Sequence, residues 1–175
     1  MLTIKPIIIE FGEADGVPNN PSLPVLFYEA VIEPKGDVAA EIERVFALND
    51  WPPQWRDGIY NFHHYHSTAH EVLGIARGEA RVVLGGPGGD ELPIFAGDVI
   101  VLPAGTGHRR LSASDDFLVV GGYPIGQDWD LIRSDEPEKM EAAKGRIASV
   151  PLPSKDPLLG ENGPLMHLWK CIPDR

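Results

Sequence analysis

The twenty-one residues from Gly58 to Gly78, GIYNFHHYHSTAHEVLGIARG, hold four of the chain's six histidines and constrain it more than any other stretch. Within them His64 and His66 are separated by one residue. On a strand that spacing sends both imidazoles to one face, where two ring nitrogens can converge on a single ion, while His63 and Tyr65 face the other way. Glu71 follows His66 by five residues, the wrong parity for one continuous strand. Ser67-Thr68-Ala69 is therefore expected to turn or bulge, after which Glu71, Leu73 and Ile75 point into the same interior as the two histidines. His108 follows PAGTG, at the end of a predicted strand from Asp98 to Leu102, and is the fourth candidate.

The histidine-rich stretch opens a region, from Ile59 to about Tyr123, of short apolar and aromatic runs punctuated by glycine and proline, the pattern of an all-β sandwich or barrel. The runs are 59–66, 70–76, 79–84, 92–95, 98–102 and 116–123. GGPGG at 85–89 lies between two of them, and nothing helical follows it, so it reads as a hairpin turn and not as a phosphate-binding loop. Upstream, Met1 to Phe11 is expected to be extended, with Ile4, Ile7 and Ile9 apolar, and Val25 to Ile32 to be a strand. Residues 38–48 predict an amphipathic helix, capped by Asp37, with Val38, Ile42, Val45 and Phe46 on its inner stripe, ending before Trp51-Pro52-Pro53. Downstream comes a second helix, capped by Ser134 or Asp135. Pro137 lies in its first turn, Met140, Ala143 and Ile147 share one face, and Val150 before Pro151 stops it. The last segment is proline-rich yet carries Leu158, Leu159, Leu165, Met166, Leu168 and Trp169, and is expected to wrap over the barrel or over a partner subunit.

At 175 residues, 43% hydrophobic and 23% charged, the chain suits one domain with a single core. The expected division is 1–57 for the N-terminal strands and helix, 58–123 for the barrel core and 124–175 for the second helix and the arm. A net charge of -11, with no basic cluster beyond Arg109-Arg110, excludes nucleic acid as a partner. An anionic substrate would need local positive charge from a bound metal or from those arginines. No stretch approaches the roughly 18 apolar residues of a membrane span, and Ile7-Ile8-Ile9 is too short for a signal-peptide core, so a cytoplasmic protein is expected. The single cysteine, Cys171, has no internal disulfide partner and reads as a bystander.

The spacing Gly58, five residues, His64-Tyr65-His66, four residues, Glu71, six residues, Gly78 resembles the first motif of the cupins without a gap. Gly97, five residues, Pro103-Ala104-Gly105, two residues, His108 resembles their second, with Ser112 where the family usually has an asparagine that is not a ligand. PNNPSLPVLFYEA, WRDGIYNFHHYHSTAHEVLG, GDVIVLPAGTGH, VGGYPIGQDWDL and DPLLGENGPLMHLW all resemble the YjlB-like branch, over nearly the whole chain. The resemblance implies a single-domain cupin: a small jelly-roll β-barrel with two peripheral helices, a C-terminal wrapping arm and one divalent metal in its mouth. The implied ligands are His64, His66, Glu71 and His108. Three neutral imidazoles and a carboxylate suit Fe, Mn, Ni or Zn, and four ligands on an octahedral ion leave two positions for water, dioxygen or a chelating substrate.

Other residues have two readings each. Tyr60 and Phe62 share the parity of His64 and either fill the barrel or line a substrate pocket. His70 points away from Glu71 and is an outer-face hydrogen-bond partner or a pocket residue. Arg109 reaches an anionic substrate or is a solvated arginine at a strand edge. His63 and His167 read as ordinary packed or surface histidines. Gly58, Gly78, Gly97 and Gly105 are expected in sharp turns with positive φ. Functionally, the pattern suits a metal-dependent enzyme acting on a small molecule, such as an oxygenase or isomerase. The alternatives are a non-catalytic module binding a carbohydrate or organic acid, and a purely structural metal site. The arm and the open sheet edges also predict a homodimer.

Overall fold

The computed structural model describes residues 3–170 and gathers the short apolar runs into antiparallel strands. In chain order these are β1 (Ile7–Ile9), β2 (Val25–Tyr28), helix α1 (Val38–Leu48), β3 (Pro53–Asp57), β4 (His64–Tyr65) and β5 (Glu71–Arg77). Next come β6 (Glu79–Leu84), β7 (Asp90–Phe95), β8 (Val99–Leu102), β9 (His108–Ala113), β10 (Leu118–Gly122) and β11 (Ile132–Arg133). A 3-10 turn (Pro137–Lys139) leads into α2 (Met140–Ser149), and α3 (Pro164–Leu168) closes the described chain. The strands form a six-stranded sheet, β1-β2-β8-β5-β10-β3, and a five-stranded sheet, β11-β4-β9-β6-β7. This is the all-β jelly roll that the family resemblance implies. Among the described residues no helix is long and apolar enough to cross a membrane.

Alternation along each strand decides what it covers. Leu73 and Ile75 of β5 face inward with Val25, Phe27, Ile100 and Val119, and meet Val82, Leu84 and Ile94 of the other sheet between the two layers. Val72 and Ala76 of the same strand face outward, with Leu26, Tyr28, Val99 and Val101, against Ile42 and Phe46 of α1. The central strands β2, β8 and β5 are thus buried on both faces, which is why β5 reads as a nearly unbroken apolar run. Helix α1 starts as expected, with the Asp37 carboxylate accepting from the Ala40 amide at 3.1 Å. It lies so close to β5 that a Cβ on Gly74 would meet Ile42 Cγ2 at 2.6 Å, so only glycine fits there. GGPGG does turn the β6–β7 hairpin, whose last pair is Leu84 with Asp90.

Several local expectations are corrected. The run 59–66 is strand only at His64–Tyr65; residues 59–63 form a loop whose Tyr60 carbonyl accepts from the Arg110 amide. Strand β2 ends at Tyr28, because the chain turns at Ala30 with φ of 49° and the Ala30 amide donates to Asp98. Helix α1 does end before Trp51-Pro52-Pro53, and Pro53 then begins β3, an edge strand where a missing N–H costs no ladder bond. Neither Ser134 nor Asp135 caps α2; Pro137 sits in the 3-10 turn, and no side chain caps either piece. A third helix, α3, accompanies the two expected. Gly78, Gly97 and Gly105 have positive φ, whereas Gly58 does not, and a Cβ on it would meet nothing within 4 Å.

The C-terminal arm packs on its own chain. Leu165, Met166 and Trp169 join α1 over the outer face of the six-stranded sheet, and the Trp169 indole donates to the Pro24 carbonyl. Cys171 lies outside the described residues.

Candidate metal centre

The chain leaves the five-stranded sheet after β4, bends at Ser67-Thr68 and enters the six-stranded sheet as β5. This corner is the turn that the His66–Glu71 spacing requires. It brings Glu71, inward-facing with Leu73 and Ile75, to the side chains of β4. His64 pairs across the sheet with His108 at the start of β9, and their ring centroids are 4.0 Å apart. His64, His66 and His108 are all buried, with one ligand nitrogen each within 4.8 Å of the others. Glu71 Oε2 stands 3.3 Å from His66 Nε2 and 3.2 Å from His108 Nε2.

Backbone carbonyls determine which nitrogens face the centre. Nδ1 of His64 contacts the Phe62 carbonyl at 2.9 Å, Nδ1 of His108 contacts that of Thr106 at 3.0 Å, and Nδ1 of His66 contacts that of Asp130. A carbonyl only accepts, so each Nδ1 carries the proton and each neutral ring presents a bare Nε2 lone pair to the interior. Glu71 Oε2 lies among these lone pairs with no hydrogen-bond donor of its own. Lone pairs and a carboxylate converging in a buried space repel one another unless a cation lies between them, so the donor set fits a divalent metal.

The titration behaviour follows from the same contacts. Burial lowers His64 to about 2, aided by the neighbouring His108, so it stays neutral. Burial also opposes charge on His66, but the facing Glu71 carboxylate outweighs it and raises the imidazole. Burial alone would raise Glu71, yet His66 and His108 hold it well below the ordinary carboxylate range. A proton shared by this pair is the metal-free way to relieve the repulsion.

Further side chains orient the four candidate residues. The Tyr123 hydroxyl donates to Glu71 Oε1 at 3.0 Å and accepts from the Trp55 indole at 2.9 Å. Burial and Glu71 raise the Tyr123 phenol, so it remains a donor. Gly121 makes room for Trp55: a Cβ there would lie 2.1 Å from the indole. Segment 124–131 folds back over the corner, where the Asp130 carboxylate accepts from the Ser67 amide at 2.6 Å and Arg146 donates to the Ser67 hydroxyl. Tyr123→Phe leaves Glu71 Oε1 without its donor, and metal affinity is expected to fall about 10–100-fold in competition with a chromophoric chelator. An unchanged affinity would mean that the phenol does not orient the carboxylate.

A cavity of about 540 Å³ opens beside the cluster, lined by Tyr60, Leu73, Arg110, Tyr123 and Trp129 among others. Tyr60 is 56% exposed at its rim, stacked on Phe62, so neither fills the barrel interior. Phe62 lies instead under the Arg133 guanidinium. His70 is on the outer face, where Nδ1 accepts from the Ala104 amide at 2.9 Å and the ring contacts Trp169. It lines a different cavity, away from the four candidate ligands. Arg109 faces away as well, close enough to His63 to lower that imidazole after burial. Of the Arg109-Arg110 pair, the arginine in the cavity is Arg110; β9 was not among the expected strands, so parity did not separate the two in sequence. Two residues on from His108, it shares that residue's face. Trp55, Tyr123, Trp129 and Asp130 carried no comparable signal, since tertiary contacts alone bring them in.

No protein-family model matches the chain. The chain is 36% identical over 159 residues to the uncharacterized Bacillus subtilis protein YjlB, covering 91% of this chain and 93% of that one. Among solved structures it is similar to a DUF861 family protein from Thermotoga maritima, at 20% identity and TM-score 0.33 over 50% of this chain and 94% of the other. It is also similar to acireductone dioxygenase from Bacillus anthracis with a cadmium ion in the active centre, at 18% identity and TM-score 0.40 over 60% and 80%. A variant of Bacillus subtilis oxalate decarboxylase matches at 17% identity and TM-score 0.36, over 70% of this chain and 30% of that one.

Proposed function

Because this chain belongs to the YjlB branch of the cupins, we propose that it holds one divalent transition metal through His64, His66, Glu71 and His108 and acts on a small molecule there. The observation that supports this best is the convergence of imidazole Nε2 atoms on Glu71, with a carbonyl behind each Nδ1. Fe, Mn, Ni and Zn in the divalent state all suit such a donor set. When bound, the ion supplies a Lewis acid for an oxygen ligand. The chain's own residues orient and shield. Tyr123 holds Glu71, the Asp130 carbonyl holds His66, and Tyr60 and Trp129 flank the entrance with broad aromatic faces. The cavity of about 540 Å³ favours a ligand-binding centre over an ion that only ties strands together, since structural sites are closed. As an enzyme, the protein would be an oxygenase or isomerase; as a binding module, it would hold the same ligand without turnover.

The test is metal content and affinity as a function of pH, on protein purified without a nickel column. About one equivalent of metal per chain is expected. Affinity should fall as pH drops, because each imidazole must be neutral to bind. The fall should begin above the ordinary imidazole value of about 6.5, since His66 is raised by the carboxylate it faces and takes a proton early. His64, neutral down to about 2, adds no competition in this range. A flat profile from pH 8 to 5 would reject the three-histidine centre.

A further inference from the structure

Arg110 is the one guanidinium among the residues that line the cavity beside the candidate metal centre. Its direction follows from pairing. On β9, His108 pairs with Leu84 of β6 and Arg110 pairs with Val82, and both partners are buried between the two sheets. Directly paired residues point to the same face, so the Arg110 side chain enters the cavity from the wall that carries His108. Arg109 pairs with Val83 and projects outward beside His63. No register shift falls between His108 and Arg110, so the two lie about 7 Å apart along the strand.

Arg110 is half-buried and makes no ion pair among the described residues, and its Nε is shielded from solvent without a hydrogen-bond partner. The Nε of Arg109 is likewise unpartnered, but it does not line this cavity. Of the carboxylates that line it, Glu71 is held by Tyr123 and faces the histidines, and Asp57 is exposed at the rim, accepting from the Gly58 amide at 2.7 Å. A half-buried guanidinium whose Nε is shielded and unpartnered, and which lines a cavity without an ion pair, is open to an anionic group there. The matching group is a planar carboxylate, which guanidinium binds through two parallel N–H donors.

We propose that the cavity binds a small organic acid, its carboxylate on Arg110 and its other oxygen function toward His64, His66, Glu71 and His108. Leu73 and Trp129 contact the carbon skeleton between these ends. The cavity volume admits an acid of a few to about ten heavy atoms. This assignment deepens the metal-centre reading and names the substrate class for that site.

The experiment titrates a panel of 2-oxo, 2-hydroxy and dicarboxylic acids of two to eight carbons, with their methyl esters and inorganic phosphate as controls. Tryptophan fluorescence and calorimetry read binding, and metal content is measured for every variant. Metal-loaded wild type and Arg109→Gln should bind at least one acid at least 10-fold more tightly than its ester. Arg110→Gln should lose that preference 10-fold or more with metal content unchanged, and Arg110→Lys should retain part of it. Equal binding by wild type and Arg110→Gln overturns the proposal. So does a panel in which no acid exceeds its ester, or one in which phosphate binds more tightly than every acid. A parallel titration of metal-free protein separates the two readings: a protein that retains no metal but still distinguishes acid from ester through Arg110 rejects the metal centre and keeps the anion site.

Discussion

His64→Ala is expected to lower divalent-metal affinity by more than about 100-fold, beyond the ~10–100-fold loss that follows removal of a group merely supporting a ligand. His63→Ala should leave affinity within a factor of two or so of wild type. The contrast isolates strand parity, because the residues are neighbours of the same type. His64 is 3% exposed, with Nδ1 at the Phe62 carbonyl and its ring against His108. His63 points to the other side, toward Arg109, and its carbonyl accepts from the Ser134 amide. Competition titration against a chelator reads the affinities, and a melting curve on each variant shows that the fold survives. Equal loss from both substitutions would overturn the assignment of faces, and equal retention would remove His64 from the centre.

The parts of this architecture that depend on neighbours in sequence were legible from it. The Asp37 cap, the α1 stripe and the GGPGG hairpin all rest on contacts within a few residues, and each appears where expected, except that Ala39 and not Val45 joins Val38, Ile42 and Phe46 as buried. So does the corner at Ser67-Thr68: residue parity required it, and the change of sheet supplies it. Legibility stopped where the determining contact is distant. His108-Arg109-Arg110 looks too polar for a barrel strand, but its inner face carries the site itself, and a site tolerates polar residues that a core does not. Tyr123 reaches Glu71 because β10 pairs with β5, Gly122 opposite Val72, and Asp130 reaches Ser67 because segment 124–131 folds back over the corner. Tyr60 shares the parity of His64, yet the strand that would have carried it inward does not form there, and the ring stays at the rim.

The C-terminal arm depends on one such distant contact, and Asp156→Ala is expected to destabilise the protein by about 3–5 kcal/mol. Asp156 is 0% exposed and accepts four hydrogen bonds. Tyr28 of β2 donates to Oδ2 at 2.6 Å and the Leu165 amide at the start of α3 donates to the same oxygen at 3.1 Å; the Leu158 and Leu159 amides donate to Oδ1. Burial, and then the adjacent Asp156, raise the Tyr28 phenol, which keeps its proton on the bond. Each buried donor left without an acceptor costs about 1–3 kcal/mol, and the Tyr28 and Leu165 donors are the most enclosed. Space for a replacement partner is scarce, since a Cβ on Gly163 would lie 2.3 Å from Asp156 Cβ. At about 2–4 °C per kcal/mol for a chain of this size, the melting temperature should fall roughly 6–20 °C. Tyr28→Phe removes a single donor and should cost about 1–2 kcal/mol. Equal losses from the two variants would mean that the backbone amides of the arm contribute nothing. The clamp lies on the outer face of the six-stranded sheet and Glu71 on the inner, so well below the melting temperature Asp156→Ala should retain metal like wild type.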